Sequence, residues 1–174
     1  MNKILKLITI LLLVGCSPDE IVGPEIHETH IYEENGIIKA KETAEVGQWY
    51  YLNEYQVGDK YLVVDNTLLR DVVREDNYQF VVTTRVTDMN HLFYPGNGNP
   101  PTYTKYSIGY WDVSNVTNMA YMLYNAGCLR GSLQNWDVSS VTSCSNFHNL
   151  IQGQSICNPN LMETWYPTFT NCQN

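Results

Sequence analysis

WDVSNVTNM at residues 111–119 and WDVSSVTSC at residues 136–144 are nearly the same nine letters, set twenty-five residues apart. A phrase repeated at that period is the signature of a repeated local structure. Working outward from its VTxM half, four copies emerge: VTDM from Val86, VTNM from Val116, VTSC from Val141 and a worn FTNC from Phe169, at steps of 30, 25 and 28 residues. The first step holds the insertion YPGNGNPPTYTKY, whose Pro and Gly residues mark a surface loop.

Behind each of the first three anchors comes an apolar i, i+3, i+4 pattern. Met89, Leu92 and Phe93 form the first set, and Met119, Met122 and Leu123 the second. The third reads Cys144 and Phe147, with polar His148 in the last place. That spacing predicts one helical turn with its apolar side chains on a single face. Ile108, Leu133 and Met162 each stand three residues before a Trp, at 111, 136 and 165. Each copy therefore reads as a short strand, a helical turn, a loop and a return. No such unit buries its apolar face alone, so the units are expected to stack.

The phrases WDVSNVTNMAYML and NWDVSSVT resemble the BspA-like leucine-rich-repeat surface proteins of bacteria, whose tandem units contain W-D-V-S-x-V-T-x-M. The resemblance covers residues 60–174, and YLVVDNTLLRDVVRED and VVTTRVTDMNHLF look like the lead-in of that family. It implies an α+β fold: a short right-handed leucine-rich-repeat-like solenoid of about 3.5 rungs with a small N-terminal cap. This array is very short, and its third and fourth copies carry cysteine for methionine. The expected boundaries are a signal peptide at 1–15, an acidic flexible tether at 16–38, a capping region at 39–79 and repeats at 80–174. In the capping region, Gly58 lies between two β-rich runs and points to a hairpin. NTLLRDVVRED predicts a short amphipathic helix capped by Asn66 or Thr67, with Leu68, Leu69, Val72 and Val73 on one side.

The amino-terminal residues have a different character. Lys3 and Lys6 head an apolar run too short to span a bilayer, and it ends in Leu13-Val14-Gly15-Cys16. That ending resembles a lipobox, with Cys16 the acylated residue and the membrane its partner; an ordinary signal peptide containing a cysteine is the alternative. Two or more acyl chains suffice for stable anchoring. The whole chain of 174 residues has a formal net charge of −8, and residues 1–15 hold two lysines and no acid. The remainder thus carries −10, which argues against nucleic acid and anionic lipid as ligands. Residues 17–36 contain six acids and no Lys or Arg, the composition of a self-repelling tether. SPDE directly behind Cys16 resembles the export signals of some surface lipoproteins. The expected location is therefore the bacterial cell envelope, at the outer membrane and surface-exposed. His27 and His30 have metal-ligand spacing but no further ligands in view, so no metal and no cofactor are expected.

Within the phrase, structural roles come first. Trp111 and Trp136 offer large area to bury, with Met119 beside them in the pattern. Asp112 and Asp137, two residues before Ser114 and Ser139, are placed to accept backbone N–H bonds in a tight turn. The functional alternative, a cation site on the two carboxylates, falls short of the six to eight oxygens that calcium takes. Thr87, Thr117, Thr142 and Thr170 share one position and predict a hydroxyl ladder, with Asp88, Asn118, Ser143 and Asn171 beside it. No nucleophile–base pair, GxSxG, HExxH or phosphate-binding loop is present, so catalysis is not expected.

A binding surface remains, and Tyr94, Tyr103, Tyr106, Tyr110, Tyr121 and Tyr124 are its candidates, either as contacts or as packing over the edges of the units. The resemblance implies adhesion or interaction with a protein or glycan. An accessory or inhibitor lipoprotein for one dedicated envelope partner and a surface-polysaccharide enzyme are the alternatives. Four cysteines besides Cys16 permit three pairings. Cys128 and Cys157 each precede a phrase Trp by eight residues, while Cys144 and Cys172 both occupy the methionine place. Stacked units about 4.8 Å apart would join like positions, giving Cys128–Cys157 and Cys144–Cys172. The alternative keeps Cys144 and Cys172 as reduced core residues in place of Met.

Overall fold

The computed structural model describes residues 25–94, 106–126, 131–148 and 166–172. Its first element is a hairpin. Strand β1 (Ile31–Glu34) runs antiparallel to β2 (Ile37–Ala40), with Glu34 opposite Ile37. Asn35 and Gly36 between them both have positive φ, 53° and 79°, the geometry for which Asn-Gly is the favoured hairpin pair. Residues 31–38, expected to be the far end of a tether, are thus largely ordered sheet. Ile31 is fully buried with Ile38, Ala40, Ala44, Val63 and Val82 in a small core, and that burial supplies the ordering an acidic segment otherwise lacks.

The second sheet has the order β3-β4-β5. Strand β3 (Trp49–Tyr51) pairs antiparallel with β4 (Lys60–Val63), the hairpin foreseen around Gly58. Helix α1 (Asn66–Arg74) then carries the chain to β5 (Val81–Val82), which lies parallel to β4. The helix is amphipathic as expected and buries Leu69, Val72 and Val73. Its cap is one residue earlier than expected. Asp65 accepts from the amides of Thr67 and Leu68 at 3.0 and 2.9 Å, so Asn66 is released for another task.

That task is at the first phrase. The Asn66 side-chain oxygen accepts from the amides of Thr87 (2.8 Å) and Asp88 (3.1 Å), and Arg70 donates to the carbonyls of Asn90 and Asp88. In the later copies the equivalent amides find the preceding copy: Thr117 and Thr142 both donate to the earlier threonine's carbonyl at 2.9 Å. Asn66 and Arg70 side chains thus satisfy backbone groups of the first phrase at residues 87, 88 and 90.

The expected solenoid does not form. The regular structure is β-rich, two small sheets and one short helix, and no helix follows α1 among the described residues. The phrases contribute isolated parallel bridges, Asp88 to Asn118, Asn118 to Ser143 and Leu123 to His148, in place of strands. The expected helical turns are also absent, for a backbone reason. His91, Tyr121 and Asn146 each stand two residues after the Met or Cys of their copy, and all three have left-handed φ, 53°, 56° and 51°. A left-handed residue stops a right-handed helix within one turn. The i, i+3, i+4 pattern survives because a tight turn also brings those side chains inward. Leu92, Met122 and Phe147 each donate to the carbonyl three residues back.

Amides in each turn then pair with the next copy: Met89 to Asn118, His91 to Ala120, Phe93 to Met122, and likewise Met119 to Ser143 and Leu123 to Phe147. Met89, Leu92, Trp111, Met119, Met122, Trp136, Cys144 and Phe147 all lie in one core with the buried face of α1. No helix among the described residues is long and apolar enough to cross a membrane.

Candidate interaction surface

Hydrogen bonding between the copies decides which motif residues are structural. Thr117 Oγ1 donates to the Thr87 carbonyl at 3.2 Å and Thr142 Oγ1 to the Thr117 carbonyl at 3.3 Å. The hydroxyls thus bond to the backbone of the preceding copy. Asp88 and Asn118 serve their own turns instead, accepting from Asn90 and Ala120. Asp112 is buried, and its carboxylate accepts from Thr84 Oγ1 at 2.7 Å and from the amide and hydroxyl of Ser114. Asp137 accepts from the Ser139 amide, and the Ser139 hydrogen bonds hold its carboxyl below the usual carboxylate range. Among the described residues no three His, Cys, Asp or Glu side chains gather as a metal site. His30 is engaged otherwise, with Nδ1 at 3.0 Å from Thr43 Oγ1 and its ring against Tyr50.

Trp111 is fully buried and Trp136 nearly so, with Trp136 Nε1 donating to the Ile108 carbonyl at 3.3 Å. Cys144 and Cys172 are joined in a disulfide with a Cα separation of 6.0 Å. It fastens residues 166–172 over the third copy, where Phe147 meets Tyr166 and Phe169 and His148 stacks on Tyr166 at 4.0 Å. Burial pushes the Tyr166 hydroxyl up to about 12 and lowers the His148 pKa. Cys16, Cys128, Cys157 and Tyr103 lie outside the described residues.

The tyrosine candidates divide into two groups. Tyr110 is partly buried against the core: its hydroxyl donates to the Gln79 carbonyl, its ring meets Tyr61, and burial raises its pKa to about 12. Tyr106 packs edge-on against buried Tyr78 at 5.3 Å. These two are packing residues. Their polar hydroxyls conceal that in a sequence, because a tyrosine ring buries as readily as phenylalanine once the hydroxyl finds a carbonyl.

Tyr94, Tyr121 and Tyr124 remain partly exposed and come together with a fourth ring outside the tyrosine set, His91. His91 stacks on Tyr121 at 4.7 Å, 10° from parallel. Tyr94 meets Tyr124 at 6.0 Å, His91 meets Tyr94 at 5.3 Å, and Tyr121 meets Tyr124 at 5.3 Å. The repeat register holds the signal that finds this set. His91 and Tyr121 both stand two residues after the phrase methionine, and Tyr94 and Tyr124 both stand five after it. The pairing of adjacent copies then superposes them. The result is a two-by-two aromatic ladder across two adjacent copies.

No curated protein and no solved structure matches the chain. One family model does, over residues 69–158, from helix α1 through the phrases and so across the whole ladder. That span is just over half of the chain, which therefore belongs to the family described as Mycoplasma protein of unknown function, DUF285.

Proposed function

We propose that this chain is a non-catalytic interaction module of the bacterial cell envelope, anchored through acyl chains on Cys16 and holding a protein or glycan partner on the His91, Tyr94, Tyr121 and Tyr124 ladder. The observation that carries this reading is Tyr121. A bulky side chain at φ 56° costs about 1–2 kcal/mol relative to the right-handed region, and the third copy relieves that cost with Asn146. The first two copies instead place His91 and Tyr121 there, stacked and partly exposed. Rings placed at a backbone position that favours Asn or Gly motivate the functional assignment. Four rings ordered by one another also lose little entropy on binding, which suits an interface.

The BspA-like resemblance of the phrases supports the same reading, as do the lipobox at Cys16 and the acidic segment behind it. Surface exposure on the outer membrane follows from that segment and is part of the proposal. A pull-down against host matrix proteins and a glycan array, with the full chain and with Tyr121→Ala/Tyr124→Ala, tests it. Capture that the double variant loses by tenfold or more supports the ladder. Capture that survives the double variant places the partner elsewhere, and turnover of a polysaccharide by the chain overturns the non-catalytic reading.

A further inference from the structure

A second aromatic site lies outside the phrases, between the segment entering β1 and the β3–β4 hairpin. It is a cleft of about 250 Å³ lined by Glu28, His30, Trp49, Tyr51, Gln56 and Lys60, among others. Trp49 is half exposed on the edge strand of its sheet, and Tyr51 beside it on the strand is partly exposed. Both walls are fixed. The amide of His27 donates to the Glu54 carbonyl at 2.8 Å, and the His30 ring packs on Tyr50 at 4.8 Å, which ties one wall to the other. Asn53 locks the hairpin loop by accepting from the amides of Tyr55 and Val57 and donating to the Val57 carbonyl. The exposed half of Trp49 borders this concavity and is free to meet a ligand.

We infer that this cleft binds a single neutral pyranose ring of a glycan, with Trp49 as the stacking surface. Size, shape and charge select that class. Ordinary small-molecule sites begin at about 300 Å³, so a smaller cleft takes one ring and not an extended ligand. A sugar presents an apolar C–H face to an aromatic ring and hydroxyls at its rim, matching Trp49 flanked by the Glu28 carboxylate, the Gln56 amide and the Lys60 ammonium. A cationic ligand is disfavoured because Lys60 already stands 4.9 Å over the Tyr51 ring, occupying the face a cation would use. An acidic sugar is disfavoured by Glu28 and by the acidic chain as a whole. The inference stands apart from the ladder, which lies in the phrases.

The test is a titration of the full chain, held in a detergent without a sugar headgroup, followed by tryptophan fluorescence and saturation-transfer NMR. The panel is glucose, galactose and N-acetylglucosamine, with sialic acid and choline as charged comparisons. Saturation by a neutral sugar is expected near a Kd of about 1 mM. Trp49→Ala should weaken it at least tenfold with unchanged circular dichroism, Trp49→Phe should restore part of it, and Tyr121→Ala should leave it intact. No saturation by any neutral sugar, preferential saturation by sialic acid or choline, or an affinity indifferent to Trp49→Ala overturns the inference. Loss in Tyr121→Ala together with retention in Trp49→Ala assigns the sugar to the ladder and overturns it as well.

Discussion

Trp136→Ala tests whether the repeated phrases share one cooperative core. A tryptophan buries up to about 250 Å², which at about 25 cal/mol/Å² gives an upper bound near 6 kcal/mol. Alanine keeps part of that area while the vacated volume adds a cavity cost, so the expected loss is about 3–5 kcal/mol. The lost hydrogen bond adds little, because the Ile108 carbonyl also accepts from the Trp111 amide at 3.1 Å. For a chain of this size each kcal/mol moves Tm by about 2–4 °C, so a drop of roughly 6–20 °C is expected. Trp49→Ala is the internal control: half exposure halves the upper bound to about 3 kcal/mol and an open site adds no cavity cost, so its loss should be the smaller of the two. Urea unfolding followed by circular dichroism reads both. Equal effects of the two substitutions, or a Trp136 change below about 1 kcal/mol, would refute a core in which Trp136 is nearly enclosed.

Reducing the Cys144–Cys172 disulfide opens a loop of 28 residues and should cost roughly 3.5 kcal/mol in the chain-entropy treatment; peptide mapping without reduction must show that link, and an unchanged urea midpoint in reductant counts against it. Asn66→Ala hands the amides of Thr87 and Asp88 from a side-chain acceptor to water and should destabilise by about 1 kcal/mol, more than a surface asparagine change, as read by urea midpoints. Burial lowers the His148 pKa below 6.5, so at acid pH the unfolded chain takes up a proton that the folded chain resists. Stability should accordingly be full above that pH and fall as pH drops through it. His148→Gln should flatten the profile between pH 7 and 5, and an unchanged profile in the variant would assign the dependence elsewhere. Cys16→Ser should abolish acyl labelling and detergent partitioning while leaving the far-ultraviolet spectrum intact; unchanged partitioning would remove Cys16 as the anchor.

Local features were legible in the sequence wherever they depend on neighbours a few residues away. The β3–β4 hairpin around Gly58, the amphipathic face of α1 and the inward set Met89, Leu92 and Phe93 all follow from spacing and turn chemistry. Asn35-Gly36 carried the same kind of signal for β1–β2, and the acidic composition around it concealed the strand until Ile31 was seen buried. The shared Met position of Cys144 and Cys172 likewise put their pairing in the repeat register.

Only the tertiary structure decided the rest. An i, i+3, i+4 pattern fits both a helical turn and a left-handed tight turn, and local propensity does not separate them. The amides of one copy choose the second because it aims them at the carbonyls of the next, as Met89 at Asn118 and Met119 at Ser143. The same long-range pairing sorts the tyrosines. Tyr110 packs against the core because the Gln79 carbonyl, thirty-one residues away, receives its hydroxyl. His91 and Tyr121 become one stack only when two copies lie side by side. Spacing fixes what a residue can do within its own turn, and contacts between distant segments determine which of those possibilities is enclosed and which faces a partner.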